Sequence, residues 1–307
     1  MNDSPLPHPK IATELALLLV LATLWGASYT FLKIAVATIP PVTLIAGRTL
    51  IAGLLLIAIM QWRGIKMPVD AANWRRFLFQ ACLNSVIPWT MVAWGTRAVD
   101  AGVATILNST APIFTFFLTL AITRHETVSF RKLIGVVAGM AGICLIVGMQ
   151  ALAGLGEQLA AQIVLLLAAV CYAGAAIFGR AFKNLDPMAP AAGSLLCGAA
   201  VLIPLSLVVD QPWTLAPSMN SLLALLGLAV FSTAFAFAIY FRLIQTLGSI
   251  GATAQAYLRV PIGVAASVIF LGEQLSSTVW IGLACVVIGV AAMTIPERKP
   301  KPLGEAA

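Results

Sequence analysis

Charge is scarce in this sequence. Of 307 residues only 18 are basic and 11 acidic, 9% in all, where an average soluble domain devotes about a quarter of its residues to charge. A soluble fold of this length needs a polar coat that so few charged residues cannot make. With 61% apolar residues and a mean hydropathy of +1.00, the composition excludes a soluble enzyme and a disordered chain. The net charge of +7 does not point to nucleic acid, because the basic residues are scattered between apolar runs instead of forming a patch. The partner expected from composition is a lipid bilayer, with no nucleic acid.

Metal-binding and catalytic patterns are also missing. The five cysteines, Cys82, Cys144, Cys171, Cys197 and Cys285, all lie in apolar segments without a CxxC or Cys/His spacing. They therefore read as small packing residues, not as a disulfide framework or a metal site. His8 and His125 fall outside the apolar runs. No HExxH, no paired Asp, no Ser/His constellation and no Walker loop is present. Neither a membrane-embedded enzyme nor an ATP-driven pump is expected, and no cofactor or metal.

What the chain does have is long apolar runs. A bilayer core about 30 Å thick takes roughly 20 residues of helix. Runs of that kind predict spans at 12–33, 40–61, 74–95, 101–122, 131–149, 158–180, 187–209, 219–242, 249–271 and 278–295. The fold class expected is an all-α polytopic membrane protein of ten helices. The first run resembles the apolar region of a signal peptide, but it takes part in an internal repeat and is read as a mature span. Connections are short, so function must reside within the bilayer. Fourteen Lys/Arg fall on one side and two, Lys33 and Arg97, on the other. Arg48 and Arg259 lie inside spans. By the positive-inside rule both termini face the cytoplasm, and the membrane expected is an inner (plasma) membrane.

At an offset of 147, Trp25 falls on Tyr172, Phe31 on Phe178, Lys33 on Arg180, Pro40 on Pro187, Glu126 on Glu273, Gly135 on Gly282 and Gly142 on Gly289. A two-residue slip brings Gly102 onto Gly251 and Pro112 onto Pro261. The two units expected are 12–149 and 158–295. Five spans is an odd number, so the second unit is inverted. Inverted repeats are a signature of secondary transporters, with substrate held near the midplane between the halves.

Trp25-Gly26-Ala27-Ser28-Tyr29, Ala46-Gly47-Arg48, Ala111-Pro112-Ile113-Phe114 and Phe270-Leu271-Gly272-Glu273-Gln274-Leu275 resemble the EamA domains of the drug/metabolite transporter superfamily. The first unit departs from the pattern, with Arg124-His125-Glu126 where the second has Gly272-Glu273-Gln274. The resemblance implies a basket of spans one to four and six to nine around a cavity, with spans five and ten peripheral. It also implies export of amino acids, other small metabolites or amphipathic drugs, and the branch exporting aromatic amino acids has this length and span count.

The residues themselves suggest where substrate would sit. Trp25, Ser28, Tyr29 and Leu32 share one helical face, more polar than a lipid-facing stripe, and Tyr172 stands at the matching place in the sixth span. Asn108, with Thr105 and Ser109, repeats this pattern in the fourth span. Arg48 lies about 12 Å into the second span. Arg259 is near the middle of the ninth, on one face with Gln255. A buried guanidinium at such depth needs a partner or a function and can grip a carboxylate with two parallel hydrogen bonds. Neither arginine has an apparent acidic partner, since every Asp and Glu falls in a tail, a loop or a span end, Glu14 being a few residues into the first span. Asn84, Tyr240 and Tyr257 complete the cavity set, and Pro112 and Pro261 are the expected hinges. The reading is an exporter of aromatic or bulky apolar amino acids by alternating access. An exporter of cationic drugs is the alternative, and the absence of a mid-depth carboxylate disfavours it. Gly135 and Gly139 form a GxxxG pair, read as packing within a monomer, with a homodimer contact as the alternative.

Overall fold

The computed structural model describes residues 11–95, 98–99, 101–122, 129–148, 155, 157–262 and 277–295; the side chains of Tyr29, Thr30, Lys33, Ala93, Ala101 and Gly102 fall outside that description. Arg97, Arg124-His125-Glu126 and Phe270 to Leu275 therefore lie outside the described residues.

The described chain is helical. The first span is α1 (Ile11–Ala35) and the second α2 (Pro41–Trp62). The third consists of α3 (Ala71–Ala81), a π-turn at Cys82–Val86 and α4 (Ile87–Gly95). The fourth is α5 (Ala101–Asn108) followed by α6 (Ala111–Ile122), and the fifth is α7 (Phe130–Val147). In the second half come α8 (Leu159–Gly179), α9 (Met188–Val209) and α10 (Met219–Ala229). A second π-turn at Val230–Phe235 leads into α11 (Ala236–Thr253). A helical stretch at 255–262 (α12) opens the described part of the ninth span, and α13 (Ser277–Thr294) is the tenth.

Local signals set the ends. Pro41 opens α2, where its missing N–H costs nothing. Asp70, Ser129 and Ser218 accept hydrogen bonds from the backbone N–H groups of Asn73, Lys132 and Ser221 and cap their helices. Gly248 turns the chain between the eighth and ninth spans at φ 77°, a conformation open to glycine at little cost. The fourth span breaks at Ser109–Thr110, just ahead of Pro112, as the proline predicts. The ninth departs from expectation: its turn is at Ala254 and the helix then runs on through Pro261. Pro261 therefore marks no break among the described residues.

Helix pairing follows the repeat. The fifth span packs on the tenth, the second on the seventh, the first on the eighth and the third on the sixth. Exchanging the two halves returns the same set of pairs, as two inverted five-helix repeats require. Small residues permit the closest approach. A Cβ on Gly135 would lie 2.7 Å from the Gly289 carbonyl oxygen, and one on Gly142 2.6 Å from that of Gly282. The GxxxG glycines are thus used inside one chain. Outward faces are aliphatic and aromatic, with Phe117, Leu120, Val137 and Val287 exposed. Eight helices among the described residues are long and apolar enough to cross a bilayer.

Candidate functional site

The two π-turns lie at matching places in the repeat, so that Ser85 corresponds to Ser232 at the offset of 147. A π-turn bonds at i to i+5 and disturbs the regular ladder, a device often found at functional sites. At the eighth-span turn the Ser232 carbonyl accepts from Trp25 Nε1 at 3.1 Å and from Arg48 Nη2 at 3.4 Å. The Ser232 hydroxyl donates to the Leu24 carbonyl at 2.7 Å. Arg48 Nε donates to Thr233 Oγ1 at 2.6 Å, and that hydroxyl donates to the Leu228 carbonyl at 2.8 Å. One turn of backbone thereby fixes the first span, the second span and the indole of Trp25 together.

Aromatic rings extend from this anchor. The Arg48 guanidinium stacks on Trp89 at 4.0 Å from the ring centre. Trp89 meets Phe237 at 6.2 Å, and Phe237 meets Trp25 at 6.2 Å, both edge to face. Trp25 also contacts Tyr240 at 5.3 Å and lies under the Arg259 guanidinium at 4.9 Å. Tyr172 is within electrostatic reach of both Arg48 and Tyr240. Cations on aromatic faces gain about 2 kcal/mol when water is excluded, so these contacts stabilise charge where no acid among the described residues is at hand.

The arginines, expected without partners, do have them, though neither partner set includes a carboxylate. The two differ in what is left over. Arg48, 9% exposed, is committed to Thr233, Ser232 and Trp89. Arg259 spends only Nε, on Gln255 Oε1 at 2.8 Å. Among the described residues its two terminal nitrogens carry no hydrogen bond and remain able to bind an anion in the forked geometry.

Unsatisfied polar atoms mark the other π-turn. Gln80 Nε2 donates to the Ala175 carbonyl at 3.1 Å, yet Gln80 Oε1, Asn84 Nδ2 and Ser85 Oγ have no partner among the described residues. Asn108 Oδ1, at the break in the fourth span, is in the same position. Buried orphans cost about 1–3 kcal/mol each, and a polar ligand or an ordered water would recover that cost. Ser85 and Trp89 are four residues apart, so this polar strip adjoins the aromatic row.

The structure thus brings together Trp25, Arg48, Tyr172, Tyr240, Gln255 and Arg259, and places Asn84 next to them in the third span. Ser28 stays on the first span, its hydroxyl used by the Trp25 carbonyl at 2.6 Å. Tyr29 is on the same helix, with its side chain outside the described residues. Tyr257 is a correction. It is fully buried, its hydroxyl donates to the Val136 carbonyl at 3.0 Å, and its ring fills the space beside Gly139. Two residues from Arg259, it points to roughly the opposite face of its helix and packs the fifth span. Sequence reasoning missed Trp89, Phe237, Ser232 and Thr233. Trp89 had a signal, an aromatic at depth in a third span, but nothing in the residue types announces a π-turn. Among the described residues no group of His, Cys, Asp and Glu could hold a metal.

Comparison with known proteins agrees with this architecture. The chain is 28% identical over 280 residues to the uncharacterized inner membrane transporter YedA of Escherichia coli K12, covering 91% of this chain and 89% of that one. It is 24% identical over 284 residues to the uncharacterized transporter YoaV of Bacillus subtilis, covering 90% and 95%. A solved crystal structure superposes with a TM-score of 0.78 at 17% identity over 92% of this chain and 97% of that one, a likeness of fold. The model of the EamA-like transporter family matches residues 12–148 and again 159–295, and the chain is therefore a membrane protein of that family, carrying its domain twice.

Proposed function

We propose that this transporter exports small carboxylate-bearing amphiphiles, foremost aromatic or bulky apolar amino acids, by alternating access between its two five-span units. The observation that carries the reading is Arg259. Its guanidinium lies over the Trp25 ring, which also contacts Tyr240, and its terminal nitrogens are not engaged by described residues. A carboxylate would take those nitrogens while an apolar side chain lies along the row of Trp25, Phe237 and Trp89. Tyr172, Gln255, Asn84 and Asn108 supply polar contacts around it. Arg48 acts indirectly by holding the eighth-span π-turn and the indoles in place. Two guanidinium groups disfavour a cationic drug in the same space. The Lys/Arg bias supports a topology with both termini in the cytoplasm, and the chain acts as a monomer.

Counterflow in liposomes across a panel of amino acids, their amides and cationic dyes tests this. Arg259→Gln is expected to slow exchange of carboxylates about tenfold or more, the loss of one charge-assisted pair, and that of amides far less. Equal loss for both would make Arg259 structural. Exchange of dyes without exchange of any amino acid would overturn the proposal.

A further inference from the structure

The first and eighth spans meet again near the end of the bundle where the chain begins. Glu14, three residues into α1, accepts from Arg242 Nη2 at 2.7 Å, from Arg242 Nε at 3.5 Å and from Thr246 Oγ1 at 2.9 Å. The Glu14 side chain is 1% exposed and that of Arg242 48%. The carboxylate thus lies inside the protein while the guanidinium reaches the surface. At the offset of 147, Glu14 corresponds to Ala161 and Arg242 to Gly95. Those residues form the opposite seam, between the sixth and third spans, at the other end of the bundle. There a Cβ on Gly95 would meet Leu165 Cγ at 2.9 Å and the Ala161 carbonyl oxygen at 3.2 Å. Leu18 and Leu165 match as well, both buried behind their seams. The architecture is duplicated, but the chemistry is not. One seam is tied near its end by a buried ion pair; at the matching positions the other has alanine and glycine, and further along it the neutral hydrogen bond from Gln80 to the Ala175 carbonyl.

We infer that Glu14, Arg242 and Thr246 form a one-sided latch that biases the transporter toward the conformation closed at the N-terminal end. The inference rests on the alternating-access reading proposed above, in which the two seams open in turn. Among the described residues, parting the third and sixth spans gives up dispersion contacts, which lipid tails largely replace, and a neutral hydrogen bond, but separates no ion pair. Parting the first and eighth spans separates a buried carboxylate from its charged partner among the described residues, and the stranded group has to be solvated before the seam can open. With the N-terminus in the cytoplasm, the latched seam is the inner one. The resting protein then opens outward readily, and loading from the cytoplasm is the step that requires Glu14 and Arg242 to separate. These two are gating residues, distinct from those proposed to touch substrate.

Electron–electron distance measurements in nanodiscs test the latch, in a full-length chain whose five native cysteines are replaced. Spin labels at Ala12 and Leu247 report the latched seam, and labels at Trp94 and Ala160 the opposite one. The parent protein is expected to show a second, longer distance at Trp94/Ala160 and almost none at Ala12/Leu247. Glu14→Gln and Arg242→Gln should each raise the longer-distance fraction at Ala12/Leu247 at least about fivefold, the lower range of coupling between states. Thr246→Val should act in the same direction more weakly, and the exchanged pair Glu14→Arg with Arg242→Glu should restore the parent distribution. The same monodisperse elution for all variants separates gating from misfolding. If both seams open equally in the parent, or if Glu14→Gln leaves Ala12/Leu247 unchanged while added amino acids still shift either pair, the latch is wrong. If no second distance occurs at either end in any variant or with any amino acid, the alternating-access reading falls, and the latch with it.

Discussion

The seam between the first and eighth spans and the seam between the sixth and third occupy equivalent places in two copies of one fold, yet they are held differently. In the first, Trp25 and Arg48 satisfy the Ser232 carbonyl and Glu14 pairs with Arg242. In the second, Tyr172 and Leu195 stand where Trp25 and Arg48 would, and Ala161 and Gly95 where the ion pair would. Ser85, the counterpart of Ser232, has a hydroxyl without a partner among the described residues. Backbone geometry has survived duplication, including a π-turn in each copy, while side-chain chemistry has diverged. A backbone path is set by packing of small and apolar residues, and many sequences satisfy it. A buried polar contact needs both partners at once, so one copy can lose it without losing the fold.

The largest effect should come from breaking the close contact at Gly95 in the second of these seams. Gly95→Leu forces a side chain into space occupied by Leu165 and is expected to cost about 3 kcal/mol or more, read as a fall in thermal midpoint in detergent. A drop no larger than for a lipid-facing substitution such as Val137→Leu would show that this seam is looser than drawn. Next is Arg48→Ala, which removes the donors to Thr233 and Ser232 and the cation over Trp89. We expect about 2 kcal/mol and loss of exchange for carboxylates and amides alike, in contrast to the selective effect of Arg259→Gln. Selective loss for carboxylates would move Arg48 from anchor to ligand. The smallest effect is at Asp70, outside both seams. Its exposed carboxylate caps α3, and the hydrogen bond from the Asn73 N–H, then that from the Asn73 side chain, holds its pKa below the ordinary carboxylate value. A depressed folded-state pKa gives stability that is present above the unfolded value and lost as pH falls through the folded one. Asp70→Ala should therefore lower the thermal midpoint slightly at neutral pH, and the difference should disappear in acid.

Much of the fold was legible because hydrophobicity and length decide where a helix can cross a bilayer. The ten spans, the break before Pro112 and the repeat all follow from runs of apolar residues and ordered matches such as Gly135 with Gly282. The site was legible only in part. Trp25, Arg48, Tyr240 and Arg259 stand out as costly residues at depth, and the structure assembles them. Tyr257 shows the limit: a tyrosine two positions from Arg259 looks equally suited to a cavity, but Gly139 on another span leaves a space that only its ring fills. Pro261 teaches the same lesson, since a proline permits a break without requiring one.

By itself the sequence determined that this chain is a membrane-embedded bundle of two inverted halves, because twenty-residue apolar runs and an odd span count admit little else. Tertiary structure alone decided which arginine is an anchor and which has terminal nitrogens not engaged by the described residues. That choice depends on the π-turn presenting the Ser232 carbonyl and Thr233 hydroxyl to Arg48, from residues more than 180 positions away. It likewise decided that Glu14 meets Arg242 instead of water. Local pattern places a charge along a span, but only packing between distant spans decides what that charge faces.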